Sequence, residues 1–397
     1  MTDRASADES RRARLDRASV YLIEAGFPSG LPGFDRELAS SLFPFWANYL
    51  SIDFALANFR HLAPEGCRIV LGNAFRGSSA SLPSRNGGIG RPIQLEGGSE
   101  ESLRELAQVL ERDPAETIVI APLSLVCIID RDDLLKITPR TREPILKLSL
   151  DEAAVDVYIA QRTSLVKLLT DHLDRGRCSA EVGDELFGRV LHQGFDAIKN
   201  CAGVLLFQNN LMQLYRQNLW IADRIGTSEL AERLGHLGEP RGADKEVRID
   251  RNGIVRNSFL GAGSVVDGLV EGSVIFPDVV IGKDAVVYNS VIMNGNRIAP
   301  RAQLYKGLLL PYTGEIAKNT YNIGEGCSIG QKHSAATNFD HSSQIRDGLT
   351  VLGMNVEVPR GLTISAGCLL GARVGPQQLK GIKEVRKGTS VLWNTDR

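Results

Sequence analysis

Few stretches of this sequence combine residues that could do chemistry. The loop from Gln331 to Gly348 holds His333, Asp340 and His341. A histidine there could act as a general base toward an acceptor hydroxyl. The run Ser19 to Ala25, SVYLIEA, passes into GFPSGLPG. A strand followed by such a loop often meets phosphate through backbone donors, but this loop has no lysine and its two prolines lack donors. Asp130, Asp132 and Asp133 could share a cation, and suit a solvated strand-to-helix turn equally well. Arg11, Arg12, Arg14 and Arg17 could hold an anionic effector, and the same run also reads as a solvated tail. The six cysteines are scattered without metal-ligand spacing. All of them, Cys67, Cys127, Cys178, Cys201, Cys327 and Cys368, read as core residues.

The element that would position the histidine loop is a repeat. From Ile254 to Leu370 apolar residues fall six apart in phased blocks. These are Ile254, Leu260 and Val266; Ile275, Ile281, Val287 and Met293; Ile298, Leu304, Leu310 and Ile316; Ile323 and Ile329; and Leu352, Val358, Ile364 and Leu370. Small or modest residues recur four positions later, as at Ser264, Ala285, Cys327, Val356 and Cys368. A period of six fits neither an amphipathic helix nor an alternating strand. It is the hexapeptide signature of a β-helix, whose coils must stack because no single coil buries its own apolar face.

Upstream of the repeat, apolar strands alternate with helical segments. Ser19–Ala25, Arg68–Leu71, Thr117–Ile120, Val155–Ile159 and Ala202–Phe207 read as strands, and Val126–Asp130 continues the third of them past Pro122. Glu100–Arg112, Thr163–Leu173 and Leu211–Ile221 read as helices. This alternation argues for an α/β domain with a mostly parallel sheet. Gly77–Gly98 reads as a loop or lid, and Glu239–Glu246 as the linker.

A formal net charge of −1 gives no general electrostatic case for nucleic acid or a membrane. No apolar run is long enough to span a bilayer, and no secretory segment stands near Met1, so the expected setting is the reducing cytoplasm.

Two stretches carry a family resemblance. FPFWANYLSIDFALANF, from Phe43 to Phe59, resembles the "PFGGxYRIIDFxLSN" segment of glucose-1-phosphate adenylyltransferase. VRNSFLGAGSVVDGLVEGSVIFPDVVIGKDAVVYNSVIMNG looks like that family's C-terminal domain. Cys201 to Phe207 is similar to a strand late in its catalytic domain. The resemblance implies a Rossmann-like nucleotidyltransferase α/β domain over residues 18–245, a left-handed β-helix of hexapeptide repeats over 246–397, and a flexible tail over 1–17. It also implies attack by a sugar phosphate on the α-phosphate of ATP with Mg²⁺ present, chemistry that rests on positioning and charge neutralisation.

The charged positions of the family pattern are the ones that differ. Of "AGGxGxRL" only Ala25 and Gly26 remain as the nucleotide-loop match, and Phe27, Ser29 and Leu31 replace the rest. The lysine of "KPAVPF" is Ser40. The double glycine is Trp46-Ala47, and Trp46 would fill space where backbone should approach substrate. The arginine of "YRIID" is Leu50. Within APLSLVCIIDRDDL the metal-binding aspartate falls on Ser124, while Asp130 matches the second aspartate and is the remaining metal candidate. Asp53, Asp130 and Lys147 are the catalytic positions left, Asp53 with a helix-capping alternative and Lys147 with that of a surface charge. The resemblance therefore implies a catalytically impaired regulatory or partner subunit in ADP-glucose and glycogen synthesis. Such a chain would be a homo- or hetero-oligomer with a catalytic homologue, binding a nucleotide or sugar phosphate if anything, and needing Mg²⁺ only if active. Two rivals stand beside this reading: an active sugar-1-phosphate nucleotidyltransferase, and a hexapeptide acyltransferase using His333 and His341.

Overall fold

The computed structural model describes residues 18–25, 32–34, 42–46, 49–63, 66–72, 92–137, 143–176, 178, 181–207, 210–224, 237, 244–317 and 320–393. The tail 1–17, Gly26, and most of the expected lid and linker lie outside them. The chain divides into two compact units. One comprises Met1–Pro28, Glu37–Phe43 and Leu50–Gln208, and the other Ser29–Arg36, Pro44–Tyr49 and Asn209–Arg397. The second unit thus begins before the expected boundary at 246 and takes in two short segments from the first fifty residues.

The first unit is built on a seven-stranded sheet of order β3-β2-β1-β4-β7-β6-β8. Its strands are β1 (Ala18–Ile23), β2 (Arg68–Leu71), β3 (Ile93–Gln94), β4 (Thr117–Pro122), β6 (Ile145–Leu150), β7 (Ala153–Gln161) and β8 (Ala197–Cys201). β1, β2, β3 and β4 are mutually parallel, whereas β7 runs antiparallel to both β4 and β6. β8 runs parallel to β6, so β7 alone opposes the other six strands and the sheet is mostly parallel, as the alternation of strands and helices predicts. A hairpin joins β6 to β7 at Asp151 and Glu152, both at positive φ, as a tight turn of the primed kind needs. β5 (Val126–Ile129) does not extend β4. It turns away after Pro122 and pairs antiparallel with β9 (Gly203–Phe207) in a separate two-stranded sheet.

Alternation of buried residues sends β1 side chains to both faces, so both faces need cover. Val20 and Leu22 meet Ile52, Leu56 and Phe59 of α1 (Ser51–Phe59) and Leu134 of α3 (Arg131–Ile137). Tyr21 and Ile23 meet Leu103 and Leu106 of α2 (Ser99–Glu111) and Leu165 and Leu169 of α4 (Arg162–Asp174). The same face receives α5 (Val182–Glu185), which runs through a π turn (Leu186–Val190) into α6 (Leu191–Gly194).

The second unit is a set of stacked coils. Its short strands form three wholly parallel sheets of four, seven and seven strands, each strand pairing with the one a full coil away. This is the arrangement of a three-sided parallel β-helix. Val266 stands over Ile281, and Ile281 over Ile298, all fully buried. The six-residue phase is visible in the burial of Ile275, Val287, Met293, Leu304, Ile329, Ile364 and Leu370. It lapses at Ile316, which is half-buried and outside any strand, and at Ile254 in the first coil, which is 48 % exposed with no coil beyond it in its sheet. α7 (Leu211–Arg224) packs on the strands Val274–Ile275 and Val291–Ile292, and Tyr215 donates to the Asn289 carbonyl at 2.7 Å. This packing places the helix in the second unit. Among the described residues, no helix is long and apolar enough to cross a membrane.

Candidate functional site at the carboxyl end of the sheet

In an open sheet a ligand crevice forms where the strand order reverses, outside the carboxyl ends of the strands. Here β2 and β3 lie on one side of β1 and β4 on the other, so the crevice belongs at the ends of β1 and β4. These ends are tied together by the Leu123 amide, which donates to the Ile23 carbonyl at 2.9 Å. The residues brought there are Glu24, Ala25, Leu123 and Ser124. Glu24 and Ser124 are buried, at 1 % and 7 % exposure. Nothing in the local sequence marks Glu24, because an acidic residue at a strand end has no distinguishing spacing.

The crevice is crowded by α5. A Cβ placed on Gly183 would stand 2.6 Å from the Ala25 Cβ, and one placed on Gly72, just after β2, 3.0 Å from Val182 Cγ1. The start of α5 therefore rests on the ends of β1 and β2. Ala25, the described half of the nucleotide-loop match, faces this helix; Gly26 lies outside the described residues.

The other candidates sit on other elements, each held by its own neighbours. Asp53, 9 % exposed, accepts the Leu50 amide at 2.8 Å and so caps α1. Asp130 follows β5 in the separate sheet, and its Oδ1 accepts the Asp133 amide at 2.9 Å at the start of α3. Asp133 in turn accepts the Ala202 amide at 3.0 Å, which holds its carboxyl below the usual range. Lys147 is not a surface charge. It is 5 % exposed, pairs with Asp156 at 2.9 Å, and lies over the rings of Tyr158 and Phe195 at 5.1 and 5.7 Å. Its alternate-strand spacing with Ile145 was the signal that it faces a packed layer, hidden because the strand itself was not expected.

Trp46 differs from the sequence reading as well. It adopts φ 52°, the left-handed region that a bulky residue rarely enters. It is 2 % exposed, and its ring packs on Phe259 at 4.4 Å inside the second unit. The position keeps a backbone conformation suited to glycine while its side chain serves the β-helix.

A magnesium ion asks for near-octahedral oxygen ligation with exposed carboxylates and water. At the end of β4 Ser124 offers a neutral hydroxyl, and Glu24 is closed off from solvent. These residues do not fit the ion. In the 331–348 loop, His333 is exposed and His341 half-buried. Among the described residues neither ring has a hydrogen bond or ion pair, so nothing orients either as a base. The loop is ordered instead by Asn338, whose Oδ1 accepts the amides of Asp340 and His341 at 3.0 and 2.9 Å.

With this geometry in view, the comparisons with known proteins decide the relationship. A hexapeptide family described as GlmU-like, C-terminal hexapeptide, matches residues 244–352. A glucose-1-phosphate adenylyltransferase of Fervidobacterium nodosum is 35% identical over 123 residues, 31% of this chain and 28% of that protein. Over part of its length, this chain is distantly similar to glucose-1-phosphate adenylyltransferases. Proteins of the same name from Acetivibrio thermocellus and Desulfitobacterium hafniense strain Y51 are each 23% identical, over 178 and 228 residues. Those matches cover 45% and 54% of this chain, and 39% and 50% of the two relatives. The chain thus spans no more than half the length of these relatives.

Proposed function

We propose that this chain is a glucose-1-phosphate adenylyltransferase-like subunit that does not turn over by itself and works by assembling with a catalytic homologue in the cytoplasm. In this reading the first unit is a Rossmann-like nucleotidyltransferase domain and the second a left-handed β-helix. The strand order β3-β2-β1-β4, helices on both faces and the names of the relatives support it. The observation that carries the impairment is Ser124. It stands at the carboxyl end of β4, beside the end of β1, where the resembled motif has a metal-binding aspartate. A neutral hydroxyl there would hold a magnesium ion less well than a carboxylate, and with it the cation that would neutralise the triphosphate. Losing one such preorganised group costs roughly 10²–10³-fold in rate.

The test is to incubate the purified chain with ATP, Mg²⁺ and glucose-1-phosphate and to follow pyrophosphate release. No release above background is expected. Turnover near about one per second, within the ordinary range for enzymes, would sink the impaired-subunit reading in favour of an active transferase. Light scattering of the chain mixed with a catalytic homologue from the same cell should show a larger joint species, and a monomer alone and in the mixture would refute the assembly.

A further inference from the structure

On the α2–α4 face of the sheet, three side chains of different chemistry converge that the preceding reading does not use. His172 lies in the last turn of α4, Cys178 follows that helix, and Glu185 ends α5. One donor atom from each lies within 4.8 Å of the other two. The His172 Nε2 and Glu185 Oε1 are 2.9 Å apart. The Glu185 side chain is fully buried and that of His172 is 20 % exposed, while Cys178 is half-buried.

We propose that His172, Cys178 and Glu185 form a three-ligand site for a thiophilic divalent cation of the zinc class, with water completing the tetrahedron. The donor set selects the ion. Imidazole nitrogen with thiolate sulfur suits zinc, whereas magnesium and calcium take oxygen throughout. Zinc bonds of roughly 2.0–2.3 Å put tetrahedral ligand atoms about 3.3–3.7 Å apart, so the trio needs only small side-chain rotations. Arg189 Nη1 also donates to Glu185 Oε1 and Oε2, at 3.4 and 3.2 Å, so the ion would share this buried carboxylate with Arg189.

Binding breaks the Cys178 S–H bond, forms the S–metal bond and releases the proton to solvent, so affinity falls as pH falls. Three ligands and an open fourth position are the pattern of a site that can hold water. The ion would tie the end of α4 to α5, the helix that rests on Ala25 at the candidate crevice.

The experiment uses the full chain, stripped with a chelator and titrated with Zn²⁺ by calorimetry and with Co²⁺ by absorbance. One equivalent should bind, and Co²⁺ should give a near-ultraviolet thiolate charge-transfer band. Cys178→Ser should abolish the band. His172→Ala should weaken Zn²⁺ by more than the roughly 10–100-fold that loss of an outer-shell partner costs. Mg²⁺ should not compete. Unchanged circular dichroism of both variants shows that the fold is kept, and the wild type carries the test even if one variant misfolds. No binding by the wild type, a cobalt spectrum unchanged in Cys178→Ser, or equal competition by Mg²⁺ would each overturn the proposal and leave a hydrogen-bonded ion cluster.

Discussion

Gly183→Ala sets two physical effects of opposite sign against each other. Alanine is favoured over glycine within a helix by roughly 0.8–1.0 kcal/mol, so propensity alone stabilises the variant. Packing opposes this. The new Cβ would stand 2.6 Å from the Ala25 Cβ, 3.0 Å from the Glu24 carbonyl oxygen, and closer still to the Ala25 Cα. Non-bonded carbons settle at about 3.5–4.0 Å. Because the nearest atom is backbone, relief means moving α5 away from the end of β1 by about 1 Å. Overpacking a filled site costs about 1–3 kcal/mol, and a backbone contact puts this site at the upper end. The net expectation is a loss of about 1–2 kcal/mol. Gly188→Ala is the control. That glycine is exposed in the same helical run, with nothing within 4 Å of an added Cβ. It should be neutral or stabilise by up to about 1 kcal/mol. Urea unfolding followed by far-ultraviolet circular dichroism measures both. Gly183→Ala as stable as the wild type would refute the close packing and the crowded crevice that follows from it.

Three further outcomes follow from the same structure. Ile281→Asp puts a charge between Val266 and Ile298 in the coil stack and should cost roughly 4 kcal/mol or more; Lys283→Asp, at an exposed turn, should stay within about 0.5 kcal/mol, and equal melting of the two would show the register to be wrong. Asp113, 4 % exposed, accepts Ser19 Oγ and the Ala115 amide at 2.8 Å and Tyr21 Oη at 2.5 Å, and pairs with Arg68. Asp113→Ala should cost about 3–5 kcal/mol in denaturant unfolding, and a loss under about 1 kcal/mol would mean that the network contributes little. Burial pushes the thiols of Cys67, Cys127 and Cys201 up to about 12. A pKa raised in the folded state contributes stability that is full below the unfolded thiol value and is lost as pH rises toward the folded one. Unfolding should therefore become easier above about pH 9, by up to about 1.4 kcal/mol per pH unit for each thiol. Cys67→Ala should flatten the profile, and an unchanged slope would argue against that thiol's burial.

The β-helix could be read from the sequence because its register is local. A residue six positions on returns to the same inward direction, so Ile281 and Val287, or the small Cys327 and Cys368, are assigned to the core by spacing alone, and all are buried. The core strands β1, β2 and β4 and the helices α2, α4 and α7 were legible for a similar reason, since their apolar periodicity matches one kind of element. Pairing was not. Nothing local to Val126–Ile129 says that it leaves the main sheet for β9, because a partner some eighty residues away decides it. Nor does local sequence reveal Lys147, whose burial depends on Asp156, Tyr158 and Phe195 arriving from other strands and loops. The sequence showed which charges of the resembled catalytic pattern are missing, since residue identity needs no fold. Only the tertiary structure brought α5 onto Ala25 and drew His172, Cys178 and Glu185 together. Spacing along the chain fixes which way a side chain points within its own element, and long-range packing decides what it meets there.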